Sequence, residues 1–131
     1  MPRGLETVQT PDARERFMLE SFGQTRCAIP LSQIERVVAN PKVQGWPGRG
    51  LVQGFVHVEG WLVWILPAGQ LFEDLGSAPT RGDWLLVLKE AEGLTRSGVL
   101  ATEVRGPISE FRLDQAKRLQ RKSEDALDEF R

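Results

Sequence analysis

The amino-acid sequence predicts a mainly β fold with one short internal helix and an amphipathic helix at its C-terminal end. Runs in which apolar and polar residues alternate recur between short glycine-containing links, as expected of β-hairpins. The run WLLVL at 84–88 is apolar at every position, which is typical of a central strand covered on both faces. Helical spacing of apolar residues is sustained in only two segments, so strands dominate the prediction.

The chain is expected to begin with a flexible leader followed by a hairpin. Residues 1–14 combine prolines, a glycine and mixed charges without periodic apolar spacing. The runs Arg16–Phe22 and Thr25–Ile29 then have period-2 character, and Gly23 and Gln24 lie between them. Two such runs around a short glycine-containing link predict a β-hairpin.

The next segment changes its spacing. Apolar residues at Leu31, Ile34, Val37 and Val38 predict one helical turn that runs into a strand. Residues 40–50 contain two prolines and three glycines and therefore predict a loop.

A second hairpin gives the clearest local signal. The runs Leu51–Val58 and Trp61–Leu66 are rich in β-formers and are separated by Glu59 and Gly60. A two-residue turn that ends in glycine is typical of a tight hairpin, and the apolar content of both runs indicates burial on both sides.

The second half of the chain is predicted to contain a short helix and two late strands. Apolar residues at helical spacing indicate a helix over 68–75, with Gly76 as its stop signal. Two strands are expected at 97–104 and 107–112, interrupted at 105–107.

The segment 114–131 contains neither glycine nor proline, and its apolar residues fall mainly on one helical stripe. It predicts an amphipathic helix whose basic half precedes its acidic half, an order opposed to the helix macrodipole. Two such helices packed antiparallel would pair opposite charges, which makes self-association a hypothesis; docking of the helix on its own domain is the alternative.

Composition and charge exclude several classes of function. The 131 residues correspond to one domain, or to two very small ones that share a core. The chain has 40% hydrophobic and 27% charged residues, as in ordinary globular proteins. A formal net charge of -1 does not favour a phosphate-backbone binder, so no nucleic-acid partner is expected. No apolar run is long enough to span a bilayer and residues 1–10 lack a signal core, so we expect a cytoplasmic protein without direct membrane insertion.

Reactive groups are scarce. The chain has 1 Cys and 1 His, too few for a zinc site or an intramolecular disulfide. Cys27 is predicted to be a buried thiol on an inward strand face. His57 shares its strand face with Glu59, and we interpret the two as an exposed structural pair or part of a protein-binding surface. Glu73 and Asp74 are adjacent in a helix and do not face each other. The sequence therefore predicts no catalytic residue, no metal, no cofactor and no enzyme.

One tryptophan is a candidate contact residue. Trp46 lies between a glycine and a proline in the predicted loop and is expected to be exposed, unlike the other tryptophans. The adjacent segment 47–50, PGRG, lacks the lysine and hydroxyl residues of a phosphate loop.

The chain contains, in order, a hairpin ending in CAIPL, the turn and strand IERVV, a Pro/Gly loop, the hairpin strand GFVHVEG, a helix through QLF, and the strand GVLATEV. This order resembles the CheW-like domain, the chemotaxis coupling protein family, over about residues 16–112. Its most specific pieces are the Ala-Ile-Pro-Leu run at 28–31 and the glycines Gly54 and Gly60, which bracket a hairpin strand.

The resemblance implies two small packed five-stranded β-barrels over residues 15–112 and an adaptor that works without catalysis. Members of this family bind the cytoplasmic tip of methyl-accepting receptors and the regulatory domain of a histidine kinase, so these are the expected partners. By position, the family's binding residues fall on Ile34, Arg36, Val37, His57, Val58, Glu59 and Gly60.

Several positions depart from the family pattern that the resemblance implies. Arg36 stands where a Glu is usual, His57 where an Asn is usual, and Glu59 where an Arg is usual. Trp64 and Pro67 replace the usual Pro and Asp of the following strand. The exchange at 36 and 59 preserves attraction if the two positions face each other, but it opposes a partner suited to the common pattern.

The C-terminal end departs as well. Family members continue after the strand matching GVLATEV into another hairpin, whereas this chain enters the charged helix predicted within residues 113–131. One barrel is therefore expected to be incomplete, with the C-terminal helix covering its open edge.

Two functions follow from the sequence. The first is a non-enzymatic adaptor of a chemotaxis-like or motility signalling system that couples a receptor to a histidine kinase. The alternative is an unrelated small β-barrel that binds nucleic acid or a small ligand through Trp46 and Trp61.

Overall fold

The computed structural model describes residues 15–46, 48, 50–76, 78–90, 93–109 and 116–122, so the predicted leader lies outside the described residues. The strands are β1 (Arg16–Phe22), β2 (Thr25–Pro30), β3 (Ile34–Ala39), β4 (Gln44–Gly45), β5 (Gly54–Val58), β6 (Trp61–Ile65), β7 (Trp84–Leu88), β8 (Thr95–Ala101), β9 (Glu103–Ser109) and β10 (Lys117–Arg118). A 3-10 helix, Leu31–Gln33, precedes β3, and a short α-helix, α1 (Ala68–Leu71), follows β6.

The described strands form two packed sheets. One has four strands in the order β10-β2-β1-β9, and the other has six in the order β3-β7-β8-β6-β5-β4. Pairing is antiparallel except between β10 and β2 and between β6 and β8. The six-stranded sheet uses consecutive strands, β3 to β8, whereas the four-stranded sheet combines both ends of the described chain.

This division confirms the mainly β prediction and adjusts the architecture that the resemblance implied. The strands divide four and six, not five and five. The pairings among described residues do not join the outer strands of either sheet, so closure into barrels remains a prediction.

Two hydrophobic cores lie on opposite faces of the six-stranded sheet. The first lies between the sheets and contains Met18 and Ile29 of the four-stranded sheet together with Leu86 of β7. The second lies on the other face and contains Leu85 of β7 and Val63 of β6. Alternate residues of β7 serve different cores, because successive side chains of a strand point to opposite faces. The prediction of a central strand covered on both faces is confirmed.

Both predicted hairpins are present. Strands β1 and β2 pair in antiparallel register around Gly23, whose φ is 68°. In the turn between β5 and β6, Glu59 has φ 47° and Gly60 has φ 92°. Positive φ at both central residues is the type I′ geometry that matches the twist of the flanking strands. The turn at 31–33 followed by a strand is confirmed too.

The internal helix is shorter than predicted. It ends at Leu71 and not at 75, because Phe72 adopts an extended conformation and forms an antiparallel bridge with Arg121. The Phe72 side chain is fully buried in the first core, so tertiary packing overrides the helical spacing of this segment. The predicted loop 40–50 contains the two-residue strand β4.

The last two strands are interrupted at a different place from the one predicted. The break is at Thr102, whose backbone N–H and side-chain hydroxyl both donate to the carbonyl of Ser21. Gly106 and Pro107 lie within β9, opposite a register shift in β1. Since β9 is an outer strand of its sheet, a residue without an N–H is tolerated there.

The prediction of a C-terminal helix is wrong over residues 116–122. Here β10 pairs in parallel with β2, and Leu119 N–H donates to the carbonyl of Ala28. The Leu119 side chain is 3% exposed and packs in the first core. The self-association hypothesis loses the basic helical half that it required; residues 123–131 lie outside the described part of the chain.

The C-terminal segment nevertheless covers a sheet edge, as a strand and not as a helix. After β10, Gln120 accepts a hydrogen bond from Glu73 N–H, and Lys122 N–H donates to Leu71. Arg121 forms an ion pair with Glu90, with Nη2 at 3.6 Å from Oε2. We call residues 116–122 the C-terminal strap, because they contact both sheets.

Among the described residues, no helix has the length and apolarity that a bilayer crossing requires.

Candidate protein-binding site

An open groove of about 670 Å³ lies between β3 and β5. One wall is formed by residues 36–40 and the other by residues 56–59, with Pro41, Lys42 and Gln44 at the connection between them. We call it the β3/β5 groove. Strand β3 is at one edge of the six-stranded sheet, and β5 lies near the opposite edge. The sheet curls so that these two strands face each other across the groove. Strand β4 pairs with only the first part of β5.

An ion pair spans the groove. Arg36 Nη1 donates to Glu59 Oε2 at 2.5 Å, and the two side chains are 44% and 59% exposed. Arg36 is held by β3 and Glu59 by the turn between β5 and β6. The two positions therefore face each other, which is the arrangement in which their opposite charges attract.

His57 lies on the groove wall and forms no acid–base pair with another described residue. Its ring packs edge-on against Phe55, with ring centroids 6.0 Å apart and planes at 85°. The carboxylate of Glu59 is engaged by Arg36, so the arrangement presents an exposed ring and an ion pair and not a general base with its partner.

The other predicted site residues fall in three places. Val37 and Val58 line the groove, but Val58 is 7% exposed and packs in the second core. Ile34 is buried in the first core, at the beginning of β3, and does not line the groove. Gly60 completes the hairpin turn, and Gly54 lies beneath β4, where a Cβ atom would stand 2.6 Å from the carbonyl oxygen of Gln44.

Trp46 is 40% exposed and lies apart from the groove. It packs edge-on against Trp64, with ring centroids 5.1 Å apart. Trp61 packs toward the second core, under the guanidinium of Arg96 at 4.7 Å, whereas Trp64 points to the opposite face of β6. Trp46 and Trp61 therefore do not form one stacking surface, which removes the basis of the alternative ligand-binding hypothesis.

Sequence reasoning missed Asn40 and Lys42. Both follow β3 in the segment predicted as a loop, and both line the groove. Residues in a loop have no periodic pattern that predicts where they lie in the fold. The positions of Asn40 and Lys42 depend on the curvature of the six-stranded sheet, which brings the end of β3 close to β5. Their proximity in sequence to Arg36 was the available clue.

The buried titratable groups lie away from the groove. Burial raises the pKa of the Cys27 thiol to about 11; the nearby Glu20 charge raises it and Lys117 lowers it. Burial also raises the pKa of Glu20 to about 9, and neither of its carboxyl oxygens has a hydrogen-bond partner among the described residues. The prediction that Cys27 is a core thiol is confirmed, since it is fully buried. The described residues contain no cluster of three or more His, Cys, Asp or Glu side chains suited to a metal ion.

Comparison with known proteins identifies the family. The family model of the CheW-like domain matches residues 16–127. The chain belongs to the CheW-like domain family. A crystal structure of the scaffolding protein TtCheW from Thermoanaerobacter tengcongensis is similar to this CheW-like chain, with a TM-score of 0.59 and 10% sequence identity over 84% of this chain and 90% of that one. At that identity the likeness shows the fold alone. No match was found among curated proteins.

Proposed function

We propose that this CheW-like protein is a non-enzymatic adaptor of a chemotaxis-like or motility signalling system. It would join a receptor's cytoplasmic tip and a histidine kinase's regulatory domain through contacts at the β3/β5 groove. Membership of the family and the likeness to a scaffolding protein support the adaptor role.

The observation that carries the choice of site is the Arg36–Glu59 ion pair across the groove. At both positions the charge is opposite to the one that the family resemblance implies. An exchange of both charges keeps the attraction within the chain, whereas a partner's charges would have to change with them. We therefore propose that the partner carries a charge pattern matched to Arg36 and Glu59 and opposed to the usual one.

Binding of purified full-length chain to a kinase regulatory domain and to a receptor tip from the same cell tests this proposal. Glu59→Arg should weaken binding by at least about tenfold, because it places two cations side by side at the groove. Glu103→Arg is the matched control: Glu103 is also exposed and ion-paired, with Arg105 at 3.1 Å, but it lies in the four-stranded sheet.

The double variant Arg36→Glu with Glu59→Arg gives a sharper result. It restores an ion pair in the orientation usual for the family, so its fold is kept while the native partner's preference is lost. Absence of wild-type binding to both proteins, or equal loss with the Glu103 control, would contradict the proposal.

A further inference from the structure

The walls of the β3/β5 groove are strand edges and not side-chain faces. Five consecutive residues, 36–40, line one wall, and four consecutive residues, 56–59, line the other. Successive side chains of a strand point to opposite faces of a sheet, so a face would contribute every second residue. A wall to which every residue in sequence contributes runs along the edge of the strand.

These backbone edges have no partner strand among the described residues. Strand β3 is outermost in its sheet and pairs only with β7. Strand β5 pairs with β6 along its whole length, but β4 covers only its first two residues, Gly54 and Phe55. Residues 56–58 therefore keep one edge free, opposite the free edge of β3.

The two edges do not bond to each other directly. Paired strands lie about 4.8 Å apart, a separation at which main-chain groups meet. Here the described contact across the groove is made by the long side chains of Arg36 and Glu59. No ladder joins the two walls among the described residues, and the volume of about 670 Å³ between them is left for an occupant.

The charge of the groove favours an acidic occupant. Arg36 and Glu59 neutralise each other, while Lys42 has no ion pair among the described residues. The remaining walls offer the half-buried apolar side chains of Val37 and Val38, together with the neutral side chains of Asn40 and Gln44. A strand that carries carboxylates alternating with apolar residues complements both features.

We infer that the β3/β5 groove binds an extended acidic segment of a partner protein, which adds as a strand to the free edge of β3 or β5. This recognition depends on main-chain hydrogen bonds for affinity and on Lys42 for charge selection. The inference rests on the proposed adaptor function for the identity of the partner, but the binding chemistry is independent of it.

A defined peptide tests the inference on the full-length chain. The probe has seven residues with valine and glutamate alternating and both ends blocked, and binding is followed through the NMR signals of His57, the single histidine of the chain. We expect His57 to shift on titration and hydrogen exchange of the amides in β3 or β5 to slow. Methylation of alternate peptide nitrogens should weaken binding roughly tenfold, because it removes edge hydrogen bonds.

Variants and a second peptide separate the outcomes. Lys42→Glu should weaken binding roughly fivefold or more, and Lys89→Glu, an exposed lysine outside the groove, should leave it unchanged. An unshifted His57 at millimolar peptide, or equal affinity for the methylated peptide or for one that replaces glutamate with lysine, would overturn the inference.

Two further results show which part of the inference is wrong if binding is not as expected. Replacing the acidic residues of 123–131 by their amides should not raise peptide affinity; an increase would mean that the chain's own end occupies the groove and not a partner. If the kinase domain binds but the peptide does not, the adaptor function stands and the strand mode is wrong. If the peptide binds but neither signalling protein does, the strand mode stands and the adaptor function is wrong.

Discussion

The two sheets treat their free edges differently. In the four-stranded sheet, the outer edge of β2 is covered by β10, and Leu119 anchors the covering strand in the first core. In the six-stranded sheet, the free edges of β3 and β5 have no partner strand among the described residues and are bridged by the exposed side chains of Arg36 and Glu59. The β2 edge is covered through main-chain pairing and apolar packing, whereas the β3 and β5 edges carry an exposed ion pair.

This difference separates a structural surface from the groove that we propose as the binding site. A bare strand edge invites pairing with other chains, and charged side chains on it limit that pairing to suitable partners. Covering the β2 edge joins both sheets through the C-terminal strap, so it contributes to stability. The β3/β5 groove is bridged by an exposed ion pair, so we expect it to contribute little to stability.

The closed edge should be the more sensitive to truncation. Leu119→Ala should lower the free energy of unfolding by about 2–5 kcal/mol, because a nearly fully buried leucine loses its packing and leaves a cavity. Urea denaturation measures the change. Leu94→Ala, at a residue that is 76% exposed, should stay within about 0.5 kcal/mol of wild type. Equal effects of the two substitutions would remove the distinction between strap and surface.

The short strand β4 should be displaced by one added methyl group. In Gly54→Ala the new Cβ would lie 2.6 Å from Gln44 O and 2.8 Å from Val43 Cγ1. Relief of this overlap should cost about 1–3 kcal/mol and lengthen the free edge of β5. Hydrogen exchange should become faster at Gln44 and Gly45. Gly45→Ala, where no atom lies within 4 Å of the added Cβ, is the matched control.

The closed side also contains a carboxyl group whose ionisation opposes folding. The folded-state pKa of Glu20 is raised to about 9 from an ordinary value of 4.5, by burial. Between these values the folded chain holds a proton that the unfolded chain has lost. The stabilising contribution is complete below pH 4.5 and falls as pH rises toward 9, by at most about 1.4 kcal/mol per pH unit.

Glu20→Gln should flatten this dependence between pH 5 and pH 8, since an amide does not titrate. Chemical denaturation at several pH values measures the slope. Glu20→Asp, which keeps a titratable carboxyl group at the same place, should keep the slope in the same direction. A wild-type slope that survives in Glu20→Gln would assign it to another group.

The open edge should be the least sensitive in stability. Because Arg36 and Glu59 are both exposed, their coupling energy in a double-mutant cycle of Arg36→Gln and Glu59→Gln should be below about 1 kcal/mol and should decrease with salt. The same variants should change partner binding more than stability. A coupling energy of several kcal/mol would mean that the Arg36–Glu59 ion pair stabilises the fold, contrary to this expectation.

Local patterns predicted the local structure well. Both hairpins followed from alternating runs and from Gly23 and Gly60, because turn conformation depends on a few neighbouring residues. The C-terminal strap was not predictable in this way. Its residues have good helical propensity and spacing, but propensity is a weak preference that a place for Leu119 in the core overrides.

The site was predictable in part. The opposite charges of Arg36 and Glu59 attract each other only if the two positions face each other, and the structure places them in that arrangement. The contribution of Lys42 to the groove depends on the curl of a six-stranded sheet, which involves contacts between residues far apart in sequence.

The strand order has a consequence for synthesis of the chain. All strands of the six-stranded sheet lie between Ile34 and Ala101, whereas the four-stranded sheet needs β10 beside β2. On the ribosome, β1 and β2 emerge first and then wait for a partner that is translated about 90 residues later, since synthesis proceeds from the N-terminus. The β3/β5 groove is therefore made from a segment that is complete before the strap that finishes the other sheet has left the ribosome.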